Sequence, residues 1–254
     1  MLELRNVYKR FSGIPAVSGA SFTAQPGEVT GYLGPNGSGK STTMKMIAGL
    51  MDPSTGEILF EGKPIQRDLI AYKRRMGYVP EEPHLYTHLS GIEYLSMVAQ
   101  LRNLPAKSAA VKIDGLLHLF SLHGDRHVSI SSYSKGMRQK ILLAAALLHN
   151  PDLLLLDEPF SGLDIGSALV LRSLIQELAG RGKVVLFSSH ELETVERICS
   201  HVVILHRGKI VADDSIEHLR AIMSLPTLEE IFSQLAVEQD TAAISRQIAD
   251  LLHA

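Results

Sequence analysis

The chain has a single cysteine, Cys199, among 254 residues, so no internal disulfide is available to it. A disulfide-free fold suits a reducing compartment. Cys199 follows Ile198 at the end of an apolar helical pattern and is expected to be a packed, inert thiol. Long hydrophobic runs are missing as well. The longest, residues 141–148 and 153–156, fall far short of the roughly 20 apolar residues of a membrane-spanning helix. The N-terminal stretch MLELRNVYKRF lacks the apolar core of a signal peptide. Charge of one sign is not in excess either. With 25 Lys and Arg against 27 Asp and Glu, the net charge is −2, which gives no electrostatic footprint for nucleic acid. There is no internal repeat and no low-complexity tract. What is plentiful is apolar surface: 45% of the residues are hydrophobic, enough for the core of one α/β domain. Any membrane role therefore has to come through a partner.

Strand-like and helical patterns alternate. Residues 29–33, 76–79, 153–156 and 184–188 read as short strands, the third continuously apolar as in a strand buried on both faces. Residues 42–50, 136–148 and 167–178 read as helices. Such alternation predicts a mostly parallel sheet with helices on both faces. Two regions depart from it. Apolar runs at 2–8 and 17–23 predict a small antiparallel sheet in front of the core. Between about 84 and 150 only helical patterns occur, at 91–101, 105–120 and 136–148, which predicts an inserted helical subdomain. Beyond Pro226 the pattern is helical again, with Ile244, Ile248, Leu251 and Leu252 on one face. That face packs on its own domain or meets a partner.

Residues 34–42 read GPNGSGKST: Gly34, Pro35, Asn36, Gly37, Ser38, Gly39, Lys40, Ser41 and Thr42. Gly34, Gly39, Lys40 and Ser41 complete the G-x-x-x-x-G-K-[ST] pattern, between an apolar strand and a helix. Glycines let backbone N–H groups wrap around phosphate oxygens at a helix N-terminus. Lys40 then reaches the β- and γ-phosphates of ATP, and the Ser41 hydroxyl ligates Mg²⁺. A second acidic site follows at 153–159, LLLLDEP. A carboxylate at such a strand end holds magnesium in P-loop proteins, a role that suits Asp157, and Glu158 is then placed to polarise the attacking water. Alone, an Asp-Glu pair after a strand says little; beside the phosphate loop it says much more.

The phosphate loop, YSKGMRQK (133–140), LLLLDEP, SGLD (161–164) and SSH (188–190) follow in that order. The set resembles the nucleotide-binding domain of ABC (ATP-binding cassette) transporters over about residues 2–215. The resemblance implies a P-loop NTPase fold: a RecA-like core sheet, an N-terminal antiparallel β subdomain and an inserted helical subdomain. It places one ATPase domain at 1–225 and a helical tail at 226–254. YSKGM is similar to the signature motif, usually LSGGQ; Ser134 and Gly136 match it, while Tyr133, Lys135 and Met137 depart from it. In the family this motif contacts the γ-phosphate held by an opposite subunit, so a homodimer, or a pair with a second ATPase subunit, is implied. Asp164 resembles the aspartate that links the two sites, and it is also placed to cap a following helix. His190 resembles the histidine that contacts the γ-phosphate. Phe11 resembles the aromatic residue that stacks on adenine, with Tyr8 as a competitor, and Val17 its apolar neighbour. Glu81, in MGYVPEEP (76–83), stands where the family usually has a Mg²⁺-ligating glutamine; a carboxylate is still a hard oxygen donor.

The strings VPEEPHLY, YSKGMRQK and LEEIF resemble the ATPases of ABC-2 type bacterial exporters. That resemblance implies membrane-spanning partner subunits, a place on the cytoplasmic face of the membrane, and export, with the ATPase of an ABC importer as the alternative. Non-transport ABC ATPases of DNA repair carry a long coiled coil between their halves, and no heptad run separates Lys40 from Asp157. Those of translation carry two cassettes per chain.

Overall fold

The structure is a computed structural model and describes residues 1–236 apart from Pro83. In chain order its strands are β1 (Leu2–Phe11), β2 (Ile14–Ala24), β3 (Val29–Leu33), β4 (Thr55–Phe60), β5 (Lys63–Pro64), β6 (Met76–Val79), β7 (Leu153–Asp157), β8 (Val184–Ser188), β9 (His201–His206) and β10 (Lys209–Ser215). Its helices are α1 (Lys40–Ile47), α2 (Leu69–Arg74), α3 (Gly91–Leu101), α4 (Ala106–Leu119), α5 (Lys135–Leu147), α6 (Ile165–Gly180), α7 (Leu192–Ile198), α8 (Ile216–Met223) and α9 (Leu228–Ala236).

The larger sheet has the order β10-β9-β3-β8-β7-β6. Its neighbours run parallel except for the β9–β10 hairpin at one edge. A parallel sheet is covered on both faces, which is why β7 and β8 are buried at every position. Alternate side chains point to opposite faces, and here the two faces feed two cores. Leu154, Leu156, Val185 and Phe187 pack with α3 to α6. Leu153, Leu155, Val184 and Leu186 pack with α1 and the smaller sheet. Each such side chain gains roughly 1.5–3 kcal/mol on full burial. Cys199 closes α7 and is buried, and that burial pushes its thiol up, as an inert packed cysteine requires.

The smaller sheet is antiparallel, in the order β2-β1-β4-β5. Its first two strands are those expected from the apolar runs. β4 and β5 are not expected from the sequence: they return after α1 and complete the sheet, with Leu2 opposite Phe60 and Leu4 opposite Ile58.

The insertion between β6 and β7 holds α3, α4 and α5, each within a few residues of its predicted span. Side chains fix two of the starts. Ser90 and Glu93 form a reciprocal capping box on α3, and the Ser134 hydroxyl accepts from the Met137 N–H at 3.2 Å on α5. At the other end α9 folds back on the core, burying Leu228 and Ile231, while Glu196 of α7 accepts from the Arg220 guanidinium and the Leu228 N–H. The apolar face of Ile244, Ile248, Leu251 and Leu252 lies outside the described residues. Among the described residues no helix is long and apolar enough to cross a membrane.

Candidate active site

Because β3, β6, β7 and β8 are parallel, their C-terminal ends lie along one edge of the sheet, where ligands of open α/β sheets bind. β3 runs into the 34–39 loop, β6 is followed by Glu81, β7 ends at Asp157 and Glu158, and β8 leads to Ser189 and His190. The loop turns into α1 through Gly39, whose φ is +109°. A Cβ there would also stand 2.5 Å from the Ala16 carbonyl oxygen, so glycine is required twice over. Unlike α3, α5, α6 and α8, helix α1 has no side-chain cap. Thr43 is the first residue whose N–H finds a carbonyl one turn back, Gly39 at 2.9 Å. The N–H groups ahead of it present the positive end of the helix to an anion.

Lys40 is only 8% exposed. Its ammonium donates to the carbonyls of Gly34 at 2.6 Å and Pro35 at 3.3 Å, so the loop curls around it. Burial lowers its pKa, and the charges of Glu158, Asp157 and Glu81 push it back up. A cavity of about 280 Å³ opens over the loop, lined also by Ala16, Glu81, Asp157 and Glu158. A second of about 290 Å³ shares Asn36, Glu81 and Glu158 and is bounded by His190, Leu192 and Phe232.

The acids differ in setting. Asp157 is 2% exposed and accepts a short hydrogen bond from the Ser188 hydroxyl. Burial raises its pKa, and the Glu81 charge adds to the rise. Glu158 sits in the left-handed region at φ +48°, a conformation that costs a non-glycine residue roughly 1–3 kcal/mol. Its N–H is held by the Ser188 carbonyl at 3.2 Å and hydroxyl at 3.3 Å. That backbone turn sends the carboxylate towards the rim, where Oε2 lies 2.9 Å from His190 Nδ1. Burial raises the Glu158 pKa as well, partly opposed by His190. Glu81 is exposed but turns toward the loop: its Oε2 accepts from the Ser41 hydroxyl at 3.4 Å. Ser41, Glu81 and Asp157 thus offer an all-oxygen donor set, which fits a hard cation such as Mg²⁺.

Ser134, Gly136 and Asp164 gather in a second place. A Cβ on Gly136 would meet the Gly162 carbonyl at 2.5 Å, so α5 begins directly against the SGLD turn. The Lys135 ammonium donates to the Ser161 hydroxyl at 2.7 Å, and Lys140 lies 3.4 Å from Asp164. Asp164 caps α6 by accepting from the Ser167 N–H at 2.8 Å, and the Ser167 hydroxyl, together with that N–H, holds its carboxyl well below the usual carboxylate range. Valine at Gly136 is expected to overpack this contact by about 1–3 kcal/mol. Thermal unfolding of Gly136→Val checks it, a Tm drop of several degrees being expected; an unchanged Tm would show that the turn yields freely.

Two sequence expectations need correction or narrowing. Val17 is fully buried beneath the loop, with its side chain near Gly39, and Ala16 is the residue that lines the cavity. Adjacent strand residues point to opposite faces, so beside the buried Val17 its neighbour Ala16 takes the outward position. Phe11 ends β1 with 46% of its surface exposed and the Lys9 ammonium 5.4 Å from its ring centroid. It lines neither cavity, though it remains an open stacking surface at the hairpin. Tyr8 is committed elsewhere, its hydroxyl packed across Gly19. The sequence assigned no role to Ser188, Gln139 or Phe232. Ser188 fixes both acids, the buried Gln139 amide donates to the Pro159 carbonyl at 3.1 Å, and Phe232 of α9 reaches the His190 cavity.

A glycine loop opening an uncapped helix, with two carboxylates at the end of another parallel strand of the same sheet, defines a P-loop NTPase. The pattern of the ABC transporter family matches residues 17–161. An uncharacterised ABC transporter ATP-binding protein of Nostoc sp. is 39% identical over 223 residues, 85% of this chain and 66% of that protein. The Nod factor export ATP-binding protein I of Burkholderia lata is 35% identical over 212 residues, 84% of this chain and 70% of that protein. A solved ATP-binding subunit of an ABC transporter superimposes with a TM-score of 0.88 at 33% identity, covering 92% of this chain and 99% of its own. The chain belongs to the ABC transporter family, as one of its ATP-binding ATPases.

Proposed function

We propose that this chain powers export through separate membrane-spanning subunits, docked on the cytoplasmic face of the membrane. The observation that carries the ATPase part is the meeting of Glu158 and His190, 2.9 Å apart, at the rim of the cavity that Lys40 backs. In this reading the N–H groups of Asn36, Gly37 and residues 39–42 grip the phosphates, and Lys40 leaves the Gly34 and Pro35 carbonyls for the β- and γ-phosphates. Ser41, Glu81 and Asp157 would hold Mg²⁺, whose charge would offset that of the phosphates. Glu158 takes a proton from the attacking water, and His190 keeps that carboxylate aimed. Phe11 stacks on the base. Ser134, Gly136 and Asp164, at an exposed helix start away from the chain's own loop, complete the site of a second ATPase subunit, identical or related.

Support for export is the resemblance of VPEEPHLY, YSKGMRQK and LEEIF to ABC-2 ATPases, together with a relative named for Nod factor export. Isolation of the chain from native membranes tests the partner assignment. A polytopic membrane protein is expected to accompany it, and recovery with ribosomes or DNA instead would refute it.

Glu81 allows a sharper test. A carboxylate beside Asp157 and Glu158 adds repulsion toward a triphosphate that only a bound cation relieves. Removing Mg²⁺ is therefore expected to weaken ATP binding more in the wild type than in Glu81→Gln. Equal magnesium dependence in parallel titrations would remove Glu81 from the metal site.

A further inference from the structure

Outside the nucleotide cleft, among the described residues, three possible metal ligands converge: Asp114, His118 and His123, with donor atoms all within 4.8 Å of one another. Asp114 and His118 stand one turn apart on α4 and share a face, and His123 arrives from the loop that follows. The Asp114 carboxylate addresses one imidazole with each oxygen. Oδ2 lies 3.4 Å from His118 Nδ1, and Oδ1 lies 3.3 Å from His123 Nε2. Both distances exceed the usual N–H···O hydrogen bond. Each is close to the edge of about 3.3 Å between two donors of one ion with bonds of about 2.0–2.1 Å, and a carboxylate binding through a single oxygen turns to bring that oxygen to both imidazoles. The two rings are stacked, centroids 3.6 Å apart, so the imidazole edges already face the same carboxylate.

We propose that Asp114, His118 and His123 form a surface site for an imidazole-preferring divalent metal ion, Zn²⁺ foremost, with solvent completing the coordination. Two imidazoles and one carboxylate favour zinc, nickel or copper over magnesium or calcium. The side chains are open to solvent on α4 and its following loop, so entry needs no opening of the fold. Two present contacts change on binding. His118 Nδ1 now lies 2.9 Å from the Asp114 carbonyl and gives up that contact. The Arg126 guanidinium releases His123 Nδ1, at 3.2 Å, and keeps the His123 carbonyl, at 2.7 Å. The loop that carries His123 also supports its neighbours: the Arg126 carbonyl accepts from the Ile92 N–H of α3, and the Asp125 carbonyl from the Tyr133 hydroxyl beside Ser134. A metal ion thus ties the end of α4 to the platform of the signature turn.

Calorimetric titration of zinc chloride into the EDTA-stripped full chain tests this, with Mg–ADP in excess to keep zinc from the oxygen ligands of the cleft. One tight equivalent is expected in the wild type, at least about tenfold weaker in His118→Ala and in His123→Ala, and no such equivalent with magnesium chloride. Cobalt(II) added to the unaltered chain gives a readout independent of the variants, a visible absorption band that one equivalent of zinc abolishes. Zinc binding that is equal in wild type and both variants, or a wild type that binds neither metal, overturns the proposal.

Discussion

Glu158→Gln is expected to bind ATP within a few-fold of the wild type and to lose hydrolysis by about 10²–10⁴-fold, the usual contribution of a positioned general base. The change keeps the shape of the side chain and the Ser188 contacts that hold its backbone at positive φ, so a folding defect does not explain the loss. With hydrolysis blocked, ATP is expected to hold the protein as a dimer, read by size-exclusion chromatography with and without nucleotide. Burial sets the pH behaviour. A base must be deprotonated to act, and burial raises the Glu158 pKa above the ordinary glutamate value. The acid limb of kcat/KM is therefore expected above the range near pH ~4.3 where an exposed glutamate titrates. Activity falls as pH drops through it, and the limb disappears in the Gln variant. Turnover within tenfold of wild type in Glu158→Gln would assign the base elsewhere.

Lys40→Ala is expected to fail earlier, at binding. The ammonium is a buried cation ringed by loop carbonyls on one side and three carboxylates on the other. A hydrogen bond to a charged group contributes about 1.5–3 kcal/mol, or roughly 10- to 100-fold in Kd for Mg–ATP. Part of that is offset, because Lys40 must release Gly34 and Pro35 before it engages phosphate. The transition state adds a second loss: removing one preorganised donor at developing charge lowers kcat by about 10²–10³. Equilibrium binding and steady-state hydrolysis on the same preparation separate the two. An affinity within twofold of wild type would mean that the loop grips phosphate by its backbone alone.

What was legible in the sequence follows a physical pattern. The phosphate loop is local: strand, glycines, lysine and helix start are contiguous, so GPNGSGKST carries its own geometry. LLLLDEP is local too, a short unbroken apolar run that fits a strand buried on both faces. The smaller sheet was half legible, since β1 and β2 form a hairpin, while β4 joins through pairs far apart in sequence, such as Leu2 with Phe60. No local periodicity encodes that partner. Val17 shows a finer limit. Residue type suggested an apolar neighbour for the nucleotide, but which of Ala16 and Val17 faces out depends on strand register. Ser188 was hidden for another reason: its value lies in reaching Asp157 and Glu158 from an adjacent strand, a relation only the sheet order creates. Phe232 was visible as part of LEEIF, yet nothing in the string says that α9 returns to the His190 cavity.

The most direct test is a crystal structure of the chain with Mg²⁺ and a non-hydrolysable ATP analogue. On this mechanism the triphosphate is expected on the backbone N–H groups of the phosphate loop, with Lys40 turned from the Gly34 carbonyl to the γ-phosphate and the Glu158 carboxylate within hydrogen-bond reach of a water beside it. Phosphates bound elsewhere, or Glu158 directed away from the γ-phosphate with no water in line, would contradict it.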